Sequence, residues 1–280
     1  MTLAMRAVTL PSGMQMPVLG QGTWYLGEHP ATRDAEIAAL RTGLDLGLTV
    51  IDTAEMYGDG AAEELVGAAI AGRRDDVVLV DKVMPSNASR RGTVRACERS
   101  LRRLGTDHID LYLLHWRGRY PLADTVAAFT ELVDAGKIGQ WGVSNFDLAD
   151  MAELMSAGGE ACATDQILYN LTRRGPEYDL LPWCRERGMP VMAYSPIEQG
   201  RILGQPAVLR VAARHEVSPA QVALAWVLRA DGVAAIPRSA DPDHVRQNAA
   251  ALQLSLTEQD LAELDRAFPP PTAPQPLEML

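Results

Sequence analysis

The 280-residue sequence lacks several features that would place it in common protein classes. Its three cysteines, Cys97, Cys162 and Cys184, are an odd number without a CxxC spacing, which argues against a disulfide framework and against a thiolate zinc site. No apolar run reaches the roughly 18 residues that a membrane-spanning helix needs. The first residues, MTLAMRAVTLPSG, lack the apolar core and the cleavage site of a secretion signal. We therefore expect a reduced, cytoplasmic protein.

An excess of positive charge is also missing. The formal net charge of -10 would repel nucleic acids and anionic membranes over most of the surface. We therefore expect neither as a partner, whereas a locally basic pocket could still bind a small anion. The sequence shows no exposed apolar stripe either, so a monomer is the default expectation.

No charged or Gly/Ser-rich linker divides the chain, and we expect a single domain over residues 1–280. Amphipathic patterns, such as those over residues 30–46 and 121–135, predict helices between short apolar runs. Eight of these runs predict strands: VLGQGTW, LTVIDTA, DVVLVDK, HIDLYLLH, IGQWGVSN, CATDQILYN, PVMAYSP and GVAAIPRS. Eight apolar strands that alternate with helices favour an α/β fold of the closed (β/α)8 (TIM) barrel type over an open doubly wound sheet.

Three further segments accompany the predicted barrel. RAVTL and MQMPVLG flank the turn composition Pro11-Ser12-Gly13, which predicts a β-hairpin at the start. Extra helices are predicted near the C-terminus, one of them over roughly residues 205–230, before the last strand. The final stretch, PPPTAPQPLEML, is proline-rich and predicts an extended tail.

Nearly every predicted strand ends in a functional group, and in such barrels the active site lies at the carboxyl ends of the strands. Taken singly, these residues have ordinary structural roles: an aspartate caps a turn, and a histidine often packs in a core. Their joint placement at one end of one barrel instead predicts an active site. The strand-end residues are Asp52, Lys82, His115, Ser144, Asn145, Gln166, Tyr194, Ser195, Arg238 and Ser239, with Tyr57 in the loop after the second strand.

A tyrosine, lysine, aspartate and histidine together suit proton transfer to a developing alkoxide. The phenol of Tyr57 has an ordinary pKa of about 10, and a Lys82 ammonium at about 4 Å would favour the phenolate by roughly 4 kcal/mol, or about three pKa units. Burial opposes this, so we expect a smaller net lowering. Asp52 would keep Lys82 charged, and His115 would donate a hydrogen bond to the substrate oxygen. We expect Glu55 to be an exposed loop acid without a role.

The motifs around these residues resemble those of the aldo-keto reductase family over essentially the whole chain. They are GQGTW, IDTAEMYGDGAAEELVG, DKV, SLRRLGTDHIDLYLLHW, GKIGQWGVSNF, AYSP and IPRSADPDHVRQN. The closest likeness is to the bacterial branch that reduces methylglyoxal and other small aldehydes. The resemblance implies a (β/α)8 barrel without a Rossmann domain, which binds NADPH, and no metal, at its carboxyl end and reduces small aldehydes and ketones to alcohols by hydride transfer.

Carried over by position, the resemblance makes Tyr57 the general acid, Lys82 and Asp52 its tuning pair, and His115 the residue that orients the carbonyl. It implies that Trp24 and Trp116 line the substrate site beside Tyr57 and His115. The implied cofactor contacts are Ser144, Asn145 and Gln166 at the nicotinamide carboxamide, Tyr194 on its ring, Asp52 beside it, and Gly22, Thr23, Trp24, Ser195, Pro196 and Gly200 in the adjoining loops.

The sequence departs from the family pattern where the 2'-phosphate would bind. A lysine and an arginine six residues later are replaced by Arg238 and His244, and Ser239 and Asn248 match further contacts at the adenosine end. Arginine can bind phosphate through two hydrogen bonds, whereas histidine is only partly charged near pH 7. The resemblance therefore predicts preference for NADPH, with an affinity that falls as pH rises through the titration of the histidine.

Other departures are expected to matter less. Asp81 and Asp165 replace a small hydroxyl and an asparagine, and strand alternation points their side chains away from those of Lys82 and Gln166. Gly20 and Gly22 form a GxG without the third glycine of a Rossmann site, so we interpret them as backbone room beside the cofactor.

Two other functions compete with a reductase. A few relatives of the family serve as subunits of channel complexes, so a binding or regulatory protein on the same barrel is possible. A metal-dependent hydrolase or lyase needs His and carboxylate ligands at strand ends, but only one of the five histidines, His115, lies there, and no HxH or HExxH spacing occurs. The tail after Pro271 is short, which favours an open site for small aldehydes or dicarbonyls over one that encloses steroids.

Overall fold

The computed structural model describes residues 6–280. A hairpin of β1 (Ala7–Thr9) and antiparallel β2 (Gln15–Pro17) comes first, as predicted. A parallel eight-stranded sheet follows in sequential strand order. Its strands are β3 (Gln21–Gly22), β4 (Val50–Asp52), β5 (Val78–Val83), β6 (Ile109–Leu114), β7 (Ile138–Ser144), β8 (Asp165–Leu168), β9 (Val191–Tyr194) and β10 (Val233–Ala235).

Helices occupy the connections between the strands, which confirms the predicted (β/α)8 class. They are α1 (Arg33–Asp45), α2 (Ala61–Ile70), α3 (Arg90–Leu104), α4 (Leu122–Asp134), α5 (Leu148–Ser156), α6 (Leu180–Glu186), α7 (Pro206–His215), α8 (Pro219–Leu228), α9 (Pro242–Ala250) and α10 (Glu258–Ala267). None of the helices within residues 6–280 is both long enough and apolar enough to cross a membrane.

The barrel closes between its first and last strands. The backbone N–H of Gly20 donates to the oxygen of Ala235 at 2.9 Å, and Ala235 donates to Val18 at 2.7 Å. A parallel bridge then joins Gly22 to Arg238. A Cβ on Gly22 would lie 2.8 Å from the backbone oxygen of Ile236, so the missing side chain makes room for the neighbouring strand.

Gly20 likewise makes room for a neighbouring strand. A Cβ there would lie 2.7 Å from Cβ of Val50 on β4. A packed neighbour within the sheet therefore accounts for both glycines. Gly20 lies outside the lining of the cavity described below, whereas Gly22 belongs to it, so room beside a cofactor stays a prediction for Gly22.

The single helix predicted over residues 205–230 is wrong, because two helices occupy this region. Glu216 ends α7 in the left-handed region (φ 56°). Ser218 then caps α8: its side chain accepts from the backbone of Gln221, and the Gln221 side chain accepts from the Ser218 backbone. Pro219 fits only the first turn of the new helix, where no N–H is needed. Each of α1 and α4 lies within its predicted range, 30–46 and 121–135.

Candidate active site

A cavity of about 590 Å³ opens at the carboxyl ends of the strands. It brings together most of the residues predicted for the site: Gly22, Thr23, Trp24, Asp52, Tyr57, His115, Trp116, Ser144, Asn145, Gln166, Tyr194, Ser195, Pro196, Gly200 and Arg238. Lys82 lies directly behind Tyr57 and Asp52, outside the lining. Sequence reasoning missed Tyr25, Met56, Ile197, Gln199, Ile236, Pro237, Met279 and Leu280.

Some of the missed residues had a sequence signal and others had none. Met56 and Tyr25 adjoin predicted site residues, so their position could have been inferred. Met279 and Leu280 end the tail, which forms no helix or strand after residue 267. The ion pair of Glu278 with Arg173 (2.5 Å) helps to hold the tail across the mouth, and nothing local in the sequence indicates that pairing.

The buried ammonium of Lys82 is the centre of the site. Its Nζ donates to Asp52 Oδ2 at 2.8 Å, to the backbone oxygen of Thr53 at 2.8 Å and to Tyr57 Oη at 3.2 Å. These three acceptors account for all three hydrogens of an ammonium. The register of β4 and β5, which pairs Asp52 with Val80, places Lys82 two residues beyond the last pair of β4.

Burial and charge act against each other at these groups. Burial alone would lower the pKa of Lys82, but Asp52 and Tyr57 outweigh it and raise that pKa. Burial raises the pKa of Asp52 despite the opposing effect of Lys82. We take Lys82 as charged, because its three hydrogen bonds need every ammonium hydrogen.

The same competition corrects the expectation for Tyr57. Burial raises its pKa, and the charge of Lys82 lowers it only in part, so the pKa of Tyr57 lies above its usual value rather than below it. The predicted net lowering is therefore wrong, because burial of the phenol exceeds the Coulomb attraction. Tyr57 is protonated at neutral pH, which is the form able to donate a proton.

His115 is buried beside Tyr57, with ring centroids 5.7 Å apart in an edge-to-face arrangement. Burial, followed by the charge of Lys82, holds the pKa of His115 well below its usual value, so the ring is neutral. Within the described residues its Nδ1 is buried and has no hydrogen-bond partner. Trp116 lies next to the ring, at a centroid distance of 4.9 Å.

A polar group lies on the side of the cavity formed by β7, β8 and β9. The Ser144 hydroxyl donates to the backbone oxygen of Gln166 at 2.8 Å, and Asn145 donates to that hydroxyl at 3.1 Å. Tyr194 Oη donates to Asn145 Oδ1 at 2.8 Å. Gln166 Nε2 donates to Asp52 Oδ1 at 2.7 Å, which connects this group to the Lys82 centre.

The loop after β9 is strained and firmly held. Ser195, Glu198 and Gln199 all have φ between 46° and 53°, in the left-handed region that non-glycine residues rarely adopt. The Glu198 carboxylate accepts from Asn170 (2.7 Å), Arg173 (3.0 Å) and Arg201 (2.7 Å), and these contacts stabilise the loop.

Arg238 and His244 lie in different surroundings. Arg238 lines the cavity and forms no ion pair or side-chain hydrogen bond with any residue in 6–280. His244 on α9 lies outside the lining, is 66% exposed and has Nδ1 4.0 Å from Asp241. The Ser239 hydroxyl exchanges hydrogen bonds with the Asp241 backbone, and Asn248 is buried on α9. Both residues also lie outside the lining.

The structure contradicts the predicted exposure of Glu55. The side chain is buried, with 6% of the residue exposed, and accepts hydrogen bonds from Met84 N, Asn87 Nδ2 and Arg99. The sequence could not show this, because its partners follow 29 to 44 residues later.

Asp81 and Asp165 lie outside the cavity lining, as strand alternation predicted. Both are fully buried, and burial raises their pKa values well above the usual range. No group of three or more His, Cys, Asp or Glu side chains within residues 6–280 has the geometry to hold a metal ion.

Comparisons with known proteins identify the family of the chain. The sequence profile of the Aldo/keto reductase family matches residues 18–268. The chain is 52% identical to methylglyoxal reductase YeaE of Escherichia coli K12, covering 98% of this chain and 99% of that protein. It is 31% identical to glyoxal reductase of Bacillus subtilis, covering 92% of this chain and 91% of that protein.

A solved structure supports the same family assignment. The crystal structure of an aldo/keto reductase from Klebsiella pneumoniae in complex with NADP and acetate has a TM-score of 0.96 and 53% identity, covering 99% of this chain and 100% of the other. The resemblance drawn from the motifs is confirmed, and the chain belongs to the aldo/keto reductase family of oxidoreductase enzymes.

Proposed function

We propose that the protein is an NADPH-dependent reductase of small aldehydes and ketones, including methylglyoxal-like dicarbonyls and aromatic or aliphatic aldehydes, with Tyr57 as the general acid. The observation that carries this proposal is the 3.2 Å hydrogen bond from Lys82 Nζ to Tyr57 Oη. Because the phenol oxygen accepts from Lys82, its own proton is free to point towards the cavity that Tyr57 lines.

In the reaction, bound NADPH supplies a hydride to the carbonyl carbon. The carbonyl oxygen gains negative charge and takes the proton of Tyr57, which leaves a phenolate and an alcohol. The Lys82 ammonium stabilises that phenolate at hydrogen-bond distance, and Asp52 keeps the ammonium charged and aimed. A solvent proton then restores the phenol.

His115 orients the carbonyl as a neutral hydrogen-bond donor. A proton on Nδ1 would be a buried donor without an acceptor, so we assign it to Nε2. A neutral ring that donates through Nε2 polarises the carbonyl oxygen but leaves the proton transfer to Tyr57. Its low pKa makes it a poor proton source near neutrality.

The residues of the cavity fit NADPH in chemistry and in charge. Amide and hydroxyl groups of Ser144, Asn145 and Gln166 suit the nicotinamide carboxamide, and Tyr194 suits stacking on its ring. Trp24 and Asp52 would lie beside the ring, with Gly22, Thr23, Ser195, Pro196 and Gly200 along the rest of the cofactor. Arg238 is a guanidinium without an acidic partner among the described residues, and it lies at the cavity edge of an acidic protein. An arginine in this state suits a phosphate group.

We infer that Arg238 binds the 2'-phosphate and makes the enzyme prefer NADPH, with Ser239, His244 and Asn248 at the adenosine end. The exposure of His244 leaves its imidazole free to approach a phosphate. Equal affinities for NADPH and NADH, measured by quenching of tryptophan fluorescence, would refute the phosphate assignment.

The substrate site favours small carbonyl compounds. Trp24, Tyr57 and Trp116 form aromatic walls around the reacting position, and the last two tail residues lie at the mouth. A panel of methylglyoxal, nitrobenzaldehyde and steroid ketones tests the substrate class. Faster turnover of the steroids would contradict it. Sedimentation of the pure protein tests the expected monomer.

The decisive experiment replaces Tyr57 with phenylalanine. Tyr57→Phe keeps the ring but removes the proposed proton donor, so turnover should be lost while NADPH binding stays nearly unchanged. If more than a few percent of the activity remained, the acid would be another residue, and His115, by its position beside Tyr57, would be the next to test despite its low pKa. NADPH-dependent loss of an aldehyde with the unaltered protein would also exclude a purely regulatory barrel.

A further inference from the structure

Glu55 lies between Asp52 and Tyr57 in sequence, and both of its carboxylate oxygens are used. Oε1 accepts from the backbone N–H of Met84 and from Asn87 Nδ2, both at 2.8 Å. Oε2 accepts from Arg99 on α3 at 3.1 Å. A buried carboxylate with three donors is held firmly, because each bond to a charged group contributes about 1.5–3 kcal/mol.

The partners of Glu55 connect two loops of the active site. Met84 and Asn87 belong to the segment that follows β5, which carries Lys82. Glu55 belongs to the loop that follows β4 and carries Tyr57. Its backbone N–H also donates to the oxygen of Lys82 at 3.2 Å. The side chain therefore fastens the loop of the phenol to the strand of the ammonium.

Tyr57 has further contacts on this loop, because its carbonyl oxygen accepts from the backbone N–H of Ala61 and its ring lies edge-to-face against His115. Its backbone N–H donates to Ala54 at 3.0 Å, and the side-chain hydroxyl is bonded within residues 6–280 only to Lys82. Directly after it, Gly58, Asp59 and Gly60 have φ of 57°, 54° and 95°, so the chain turns away at once. Among these contacts, the Glu55 side chain is the one that ties the loop to the segment directly after the strand of Lys82.

We propose that Glu55 is a positioning residue that keeps Tyr57 Oη within hydrogen-bond distance of Lys82 Nζ. The inference rests on the proposed role of Tyr57 as proton donor. Glu55 does not line the cavity, so it acts through the placement of the loop and not through contact with substrate. Because a displacement of about 1 Å can lower a rate about 100-fold, its removal should act on the chemical step.

Three substitutions separate the contacts of Glu55. Glu55→Ala removes all three side-chain contacts and should lower kcat about 10- to 100-fold. Glu55→Gln can keep both Oε1 bonds and loses only the ion pair, so kcat should stay within about threefold. Arg99→Ala removes the same ion pair from the other side and is the matched control, with the same small effect. NADPH affinity should be unchanged in all three variants.

The solvent deuterium isotope effect on kcat distinguishes positioning from a general loss of structure. A misplaced proton donor makes proton transfer more rate-limiting, so the isotope effect of Glu55→Ala should exceed that of the unaltered enzyme. A partly unfolded preparation would lower kcat with an unchanged isotope effect, and that result would overturn the proposal. So would a Glu55→Ala enzyme with normal kcat.

If Glu55→Ala does not fold, Glu55→Asp decides the question. The shorter side chain keeps the charge but draws the loop by about one bond length, and it should lower kcat and raise the isotope effect. Normal values of both would overturn the inference. The Tyr57→Phe result keeps the two proposals apart. An active Tyr57→Phe enzyme refutes the general acid, whereas an inactive one with a normal Glu55→Ala enzyme refutes only the positioning role.

Discussion

The buried pair of Lys82 and Asp52 should make each partner strongly dependent on the other. Side-chain exposure is 0% for Lys82 and 3% for Asp52. Removing one charge leaves the other buried, which costs about 3–5 kcal/mol of the free energy of unfolding. At about 2–4 °C per kcal/mol, Asp52→Asn and Lys82→Met should each lower Tm by roughly 10 °C. The double variant Asp52→Asn/Lys82→Met should return to within about 2 kcal/mol of the unaltered protein.

The loss of stability in each single variant has an upper limit, because the charged group that remains can become neutral instead of staying charged and buried. Protonating an ordinary aspartate at pH 7 costs about 4 kcal/mol, because its pKa of about 3.9 lies about three units lower and each unit is worth about 1.4 kcal/mol. At pH 5 the same step costs only about 1.5 kcal/mol. In Lys82→Met the pKa of folded Asp52 lies above its unfolded value, so stability is greatest below the unfolded pKa and is lost as pH rises. The Lys82→Met defect should therefore shrink between pH 7 and pH 5.

Thermal and urea unfolding of the three variants at pH 7 and pH 5 provides the assay, with NADPH binding as the control for a native site. All three variants should be nearly inactive. The double variant should therefore recover most of the stability without recovering the activity. A double variant no more stable than the weaker single variant would refute the reasoning. A Lys82→Met defect that did not change with pH would also refute it, because the remaining carboxyl would not be the cause.

Three other predictions follow from buried titratable groups. Burial raises the pKa of Cys97 and of Cys162 to about 12 and also raises that of Cys184. A thiol reagent at pH 8 should therefore react with none of the three in the folded protein and with all three after denaturation. Fast labelling of a thiol in the folded protein would contradict this. Because the pKa of His115 lies well below its usual value, kcat should show no acid limb near pH 6.5, and a limb there that disappears in His115→Asn would count against a neutral ring. Burial alone would raise the pKa of Asp260, but its hydrogen bonds, led by the one from Thr257, lower that pKa below its usual value. The ionised Asp260 therefore stabilises the protein near neutrality, and this contribution is lost as pH falls through the lowered pKa. Asp260→Asn should therefore destabilise the protein by about 2 kcal/mol at pH 7 and by less at pH 3, and equal Tm values at pH 7 would exclude this role.

The sequence by itself determined the barrel and the location of the site. Eight apolar runs between amphipathic segments specify parallel strands covered by helices, because the period of the side chains is a local property. The carboxyl-end rule then placed Asp52, Lys82 and His115 together without knowledge of any contact. Tyr57 followed from its motif. Capping also is local, and Ser218-Pro219 could have predicted the break between α7 and α8 that the periodic pattern concealed.

Only the tertiary structure decided which polar groups are buried and what balances them. Glu55 looks like a solvated loop acid because its partners come from a different strand end and a different helix. The direction of the Tyr57 pKa shift could not be predicted, because it depends on whether burial or the charge of Lys82 prevails. Met279 and Leu280 line the cavity, and next to them Glu278 pairs with Arg173, 105 residues away in sequence. Long-range pairing and desolvation depend on the packed fold, so the local sequence pattern contains no information about either.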